Sequence, residues 1–230
     1  MNAPFRHIRD SHRLANLAEP DERERIEAFL DRHPDATPFH RPAWLAAVAQ
    51  GTGNPALALI GERGSQLTTY LPLNAVHSPL FGRLLASSGF AVGGGVLSVE
   101  GFDPSGLFAA AEELAQRMSF PTIELRGGEL PLGRPGWQIK DQSHCGFINP
   151  LAGDDEAQLL AIPRKQRAEV RKGLEQALEV SVGTGEADRA AHYAVYAESV
   201  RNLGTPVFPR ALFDAVLDIF GDDADILTVS

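Results

Sequence analysis

Four glycines and two prolines fall within the ten residues Gly127–Gly136 of this 230-residue chain. Glycine raises the entropy cost of ordering and proline lacks a backbone donor, so neither a helix nor a strand runs through such a stretch. It divides the chain into units 1–136 and 137–230, a division that the length allows. Ahead of it, Asp21–His33 reads as a helix with acids in its first turn, Ile26, Phe29 and Leu30 on one face, and Pro34 as a stop. Pro42 opens a second helix that points Trp44, Leu45 and Val48 inward and ends at Gly51. Ala56–Ile60 and Gln66–Val76 read as strands joined by a tight turn at Glu62–Ser65, and Ser87–Leu97 as glycine-rich loop or bulged strand. Asp103 and Pro104 start a helix carrying Leu107, Ala111, Leu114 and Met118 at helical spacing, and Thr122–Arg126 is a short strand.

Beyond the break, Gln138–Ile148 reads as extended. The order of elements then restarts: helices Glu156–Ile162 and Pro163–Leu178, strand Glu179–Val182, helices Asp188–Leu203 and Pro209–Phe220, and strand Asp225–Val229. This echo predicts an α/β (α+β) chain built as a tandem duplication of one unit, a mixed sheet flanked by helices. The last strand has no later segment to pair with. From that, the second unit is expected to be truncated and the chain inactive by itself.

A net charge of −9 argues against a general polyanion-binding surface and against DNA as a partner. Any contact with a diphosphate or an RNA has to come from a local basic patch. One cysteine, Cys145, excludes an internal disulfide and fits a reducing compartment. The opening MNAPFRHIRD lacks the apolar centre of a signal peptide. Arg83 is the one charge between Gly64 and Val99, but Pro72, Pro79 and many Gly and Ser residues break that run, so no membrane span is expected. The expected location is the cytoplasm. His144 and Cys145 are neighbours on a strand-like segment, which argues against their pairing as a nucleophile and base. No histidine pair has metal-ligand spacing, and no metal or bound cofactor is expected.

The helix Pro163–Leu178 has two faces. Pro163, Val170, Leu174 and Ala177 fall on one side; Arg164, Lys165, Arg171 and Lys172 fall on the other, with Arg167 at the boundary. Such a face is either a solvated surface or a cradle for phosphate, a role that suits the guanidinium fork. In the next helix Arg201 lies at the edge of the stripe Tyr193, Ala197 and Val200. It either covers the core with its stem or faces a ligand, and Tyr193 and Tyr196 are open to the same two readings. Gly93–Gly95 is either a turn or a set of amides presented to an anion.

Lys165, Arg167, Arg171, Lys172 and the strand entry Leu178-Glu179-Val180 resemble a pattern of FemAB-type acyltransferases, in particular the subset associated with PEP-CTERM/exosortase export systems. The match continues through Tyr193, Tyr196, Glu198, Ser199 and Arg201-Asn202-Leu203-Gly204 into Thr205-Pro206-Val207-Phe208-Pro209. Looser agreement covers Phe39-His40-Arg41-Pro42-Ala43-Trp44, Gly93-Gly94-Gly95 and Ile123-Glu124-Leu125-Arg126, so the resemblance spans the chain from about Pro38 onward. What it implies is tandem GNAT-like domains transferring an acyl or aminoacyl group to an amine on a cell-envelope or exopolysaccharide-related acceptor. The implied donor is aminoacyl-tRNA or acyl-CoA; the acceptor is a small molecule or a lipid- or nucleotide-linked one. The resemblance makes Arg201 the first choice for holding acceptor phosphate, with Arg167, Arg171, Lys165, Tyr193 and Tyr196 beside it. It names no catalytic base.

Cell-wall members of that family use a peptidoglycan precursor as acceptor, and two departures from them count against that acceptor: the helix after Trp44 has no lysine where they carry one for the diphosphate, and no long helical hairpin of the kind some use with tRNA is inserted. The alternatives are a non-catalytic module that binds a phosphate-bearing saccharide precursor, and an acyl-CoA-dependent small-molecule acetyltransferase.

Overall fold

The computed structural model describes residues 10–78, 82–142 and 144–230. The segment 1–9, most of the stretch read for a signal peptide, and Pro79 lie outside the described residues. Backbone contacts divide the chain into unit 1, Met1–Trp137 with Tyr193–Ala224, and unit 2, Gln138–His192 with Asp225–Ser230.

Unit 1 is built on a mixed sheet flanked by helices. Its strands are β1 (Asp10–Leu14), β2 (Ala56–Arg63), β3 (Gln66–Ser78), β4 (Gly82–Ala86), β5 (Leu97–Ser98) and β6 (Ile123–Glu124). They run in the order β1-β2-β3-β4-β6, and β5 pairs with β3. All pairs are antiparallel except β4 with β6. Helices α1 (Pro20–Leu30) and α2 (Pro42–Thr52) cover one face and α3 (Ser105–Arg117) the other. Because both faces are covered, β2 and β3 carry near-continuous apolar runs rather than clean alternation. Leu59, Leu71, Leu73 and Ala75 pack with Leu107, Phe108 and Leu114 of α3. Ala58, Ile60 and Tyr70 pack on the opposite side with Ile26, Phe29, Leu30 and Leu45.

The polar segment DSHRL carries no hydrophobic pattern, yet it forms edge strand β1. An ion cluster fastens it. Arg13 bonds Glu22 of α1 at 2.6 Å and Glu62 of β2 at 2.9 Å, while Arg25 bonds the same two carboxylates at 2.9 and 2.6 Å. Hydrogen bonds from Arg13 hold the Glu22 carboxyl below the usual carboxylate range. Burial pushes Glu62 up, but the bonds from Arg13 and Arg25 outweigh it and leave it lowered.

Helix α2 does not stop at Gly51. It runs to Thr52, and Gly53, at φ 74°, is the left-handed C-cap. Gly51 instead makes room for a neighbour, since a Cβ there would lie 2.7 Å from both Ala211 O and Leu212 N, with Leu212 Cα nearer still. The absent side chain lets α7 (Arg210–Phe220) lie directly against α2, burying Leu212, Ala215 and Leu217. Tertiary packing, not helix termination, placed this glycine.

Unit 2 holds α4 (Asp155–Ala161), α5 (Arg164–Leu174), β7 (Val180–Gly183), the first turns of α6 (Glu186–Asn202) and β8 (Ile226–Val229). Asp154 caps α4 by accepting the Ala157 N–H at 2.8 Å. The terminal strand, which has no later segment to pair with, pairs antiparallel with the earlier β7, setting Val180 opposite Val229 and Val182 opposite Leu227. Residues 138–148 form no strand; they are irregular and exposed where described. His144 and Cys145 therefore do not sit on a strand, and both are exposed. Among the described residues no helix is long and apolar enough to cross a membrane.

Candidate functional site

A buried polar network of unit 1 forms where the turn Thr37–Trp44, the loop Ser87–Val96 and the segment Arg126–Glu129 meet. Pro38–His40 is a 3-10 turn capped by Thr37. His40 is 1% exposed. Its Nδ1 accepts the Thr37 N–H at 3.0 Å, so Nε2 carries the proton and donates to Gly95 O at 3.2 Å. Burial pushes the His40 imidazole down to about 4, with the bond to Gly95 working the other way, so it is neutral at pH 7. Tyr70 donates to His40 O at 2.9 Å, and burial pushes its hydroxyl pKa up. Neither group is a proton carrier at neutral pH; both fix the turn.

The glycine loop is held from beneath by side chains. Asn74 Oδ1 accepts the Gly89 N–H at 3.0 Å, and Trp44 Nε1 donates to Gly89 O at 3.1 Å. Ser88 Oγ lies within donor range of Phe39 O at 2.7 Å and Gly94 O at 3.1 Å. Such fixing is needed because Ser88 and Phe90 sit at φ 48° and 66°, in the left-handed region that costs a side-chain-bearing residue about 1 kcal/mol or more. Gly95 lies against Gly127, where a Cβ would overlap the Gly127 carbonyl. The amides of Gly93 and Gly94 both donate to Arg126 O, at 3.0 and 3.1 Å. Those two donors are occupied, so the turn reading of Gly93–Gly95 holds and the anion-presenting one does not.

Against this loop lies an aromatic group from the C-terminal part of unit 1. Phe90 meets Phe208 edge-on at 5.1 Å, Phe208 is 6.3 Å from Tyr196, and Phe213 is 4.8 Å from Tyr196 and 6.0 Å from Tyr193. Tyr193 donates its hydroxyl to Phe208 O at 3.0 Å, and the Phe208 N–H donates to Tyr196 Oη at 3.2 Å. Both tyrosines thus fasten the Gly204–Pro209 loop through one residue.

Arg201, in the last turn of α6, is exposed and lines a surface depression of about 390 Å³ with Ala197, Glu198 and Asn202. Its guanidinium has no ion-pair or hydrogen-bond partner among the described residues. Tyr193, Tyr196 and Arg201 share the part of α6 that belongs to unit 1. Lys165, Arg167 and Arg171 share α5 of unit 2, where no residue is buried. Lys165 and Arg171 are exposed. Arg167 folds back onto the end of α4, donating to Leu160 O at 2.7 Å and Ile162 O at 2.9 Å, and so caps the carbonyls there. Lys172 pairs with Glu169 at 3.0 Å.

Sequence reasoning did not assign roles to His40, Asn74, Ser88, Phe90 or Phe208. The Ser-Ser-Gly-Phe run beside three more glycines was the one local signal for a strained loop.

No protein-family model and no curated protein matches the chain. Among solved structures the chain is similar to FemX, with a TM-score of 0.56 and 15% identity over 90% of this chain and 56% of that one. It thus spans a little over half the length of the FemX chain. Across that 90%, the chain has a FemX-like fold: mixed α/β, its sheet flanked by helices.

Proposed function

We propose that this protein is an N-acyltransferase of the FemAB type, moving an acyl or aminoacyl group onto an amine of a cell-envelope or exopolysaccharide-related acceptor in the cytoplasm. The FemX-like fold carries the reading. The ordered run from Lys165 to Pro209 supports it, and the motif set favours the PEP-CTERM-associated subset. In this reading the sequence halves 1–136 and 137–230 are tandem GNAT-like domains, although Tyr193–Ala224 of the second half belongs to the compact unit 1.

Arg201, exposed and without a carboxylate partner among the described residues, holds the anionic group of the acceptor beside its depression. Lys165 and Arg171 serve a phosphate of acceptor or donor. Arg167 does so after leaving the α4 carbonyls, or stays as a cap. Tyr193 and Tyr196 act by holding the 204–209 loop. The acceptor nitrogen attacks the activated carbonyl and forms the N–C bond. The C–O bond of an aminoacyl ester or the C–S bond of a thioester breaks, and the proton lost by the amine ends on the leaving oxygen or sulfur. Alignment of the two substrates supplies most of the acceleration, since holding reactants in register is worth up to ~7–11 kcal/mol.

The test is acceptor-dependent donor consumption. The protein is incubated with aminoacyl-tRNA or acyl-CoA, with and without a diphosphate-linked amino sugar. Deacylation or thiol release that requires the amino sugar supports transfer and identifies the donor. Tight binding of the amino sugar with neither donor consumed would instead make the protein a binding module.

A further inference from the structure

Residues 204–209 leave α6 at Gly204, φ 68°, and reach α7 at Pro209. Gly204–Val207 is exposed throughout, and the tertiary bonds described above converge on Phe208. The start of this segment also closes the last turn of α6. Gly204 N–H donates to Arg201 O at 3.0 Å and Thr205 N–H to Val200 O at 2.9 Å. A terminal helical turn frays unless something outside the helix holds it.

Phe90 faces this segment from a left-handed backbone position, beside Gly89, where glycine would be the relaxed choice. A strained aromatic residue persists where its ring makes a contact that offsets the strain. Here the ring meets Phe208. Asn74 and Trp44 pin Gly89 from both sides and so aim it.

We propose that residues 204–209 form a strap latched at Phe208, and that Phe90, Tyr193 and Tyr196 are positioning residues that keep the Arg201 turn wound through it. The chain of action runs from the Phe90 ring to Phe208, from Phe208 along the strap, and from the strap to the two amide bonds that close the turn bearing Arg201. The functional half of this proposal rests on the anion-holding role assigned to Arg201; the latch itself does not.

The test compares wild type, Phe90→Ala, Phe90→Trp and Tyr196→Phe by amide hydrogen exchange and by titration with inorganic diphosphate. Phe90→Ala is expected to speed exchange at residues 203–208 about tenfold, the size of one aromatic pair at ~1.4 kcal/mol. Exchange in β3 stays unchanged, and diphosphate affinity falls by a similar factor. Phe90→Trp restores both, and Tyr196→Phe loosens the strap less than Phe90→Ala does. Unchanged exchange at 203–208 in Phe90→Ala, or an equal rise in β3, overturns the latch. Faster strap exchange with unaltered diphosphate affinity overturns the positioning role. If wild type binds no diphosphate, the anion-site reading falls with the positioning role, while exchange still decides the latch.

Discussion

Replacing Gly51 with alanine sets two physical effects against each other. Alanine is favoured over glycine by at most about 1 kcal/mol in a helix, less at Gly51, the last residue but one of α2, so on propensity alone the variant is stabilised. The packing of α7 on α2 says the opposite. The new Cβ would lie 2.7 Å from Ala211 O and Leu212 N, backbone atoms that no rotamer change can move aside. Ordinary carbon contacts are ~3.5–4.0 Å, so α7 must retreat by roughly 1 Å. That retreat loosens Leu212, Ala215 and Leu217, now 3%, 1% and 9% exposed. Overpacking of this kind costs ~1–3 kcal/mol, and with rigid atoms on both sides the upper end applies. Subtracting the propensity gain leaves a net loss of about 2 kcal/mol, or a Tm lower by about 4–8 °C for a chain of this size. Urea and thermal unfolding measure it. Gly53→Ala is the control: it meets open space at φ 74° and is expected to lose about 1 kcal/mol through backbone strain alone. A gain in stability for Gly51→Ala would refute the close α2–α7 packing.

The remaining predictions concern charge and burial. His40, at about 4 when folded against an ordinary 6.5, is stabilised as the neutral form, so its contribution is complete above pH 6.5 and is lost as pH falls from 6.5 towards 4. The full loss is roughly 3 kcal/mol, and unfolding of wild type against His40→Gln across pH 7 to 5 should isolate the part that develops above the carboxylate range. Glu22 has a lowered pKa through Arg13, so its contribution is present above pH 4.5 and is lost at lower pH, after most of the His40 loss. Gly95→Ala drives a Cβ into the Gly127 carbonyl and should cost about 3 kcal/mol, read as a lower urea midpoint. Arg201→Ala should leave the midpoint unchanged, because the side chain is exposed and unpartnered among the described residues, yet weaken diphosphate binding and flatten its salt dependence.

Strands β2 and β3 were legible because their apolar runs are long and a turn separates them. Helices α1, α3 and α7 were legible because their apolar residues recur at helical spacing. Strand β1 was not: DSHRL has no buried face, and it is held by backbone pairing and by Arg13 on Glu22 and Glu62. Strand β4, with two buried residues at its end, carries almost as little pattern. Gly51 misled for a related reason, since a glycine required by a neighbouring helix looks in sequence like a glycine that ends its own. The basic face of α5 was visible, but the use of Arg167 as a cap depends on where α4 ends. Ser88 and Phe90 could not be read as left-handed, because that backbone holds only once Asn74 and Trp44 grip Gly89 from distant strands and helices.

The most direct measurement is the mass of the acceptor itself, a diphosphate-linked amino sugar recovered after incubation with the protein and an activated acyl donor. An added acyl or aminoacyl mass located on the amine nitrogen is the predicted result, with less product from Arg201→Ala. An acceptor recovered unchanged, with acyl-CoA and with aminoacyl-tRNA alike, would contradict transfer by this chain and agree instead with the expectation that it is inactive by itself.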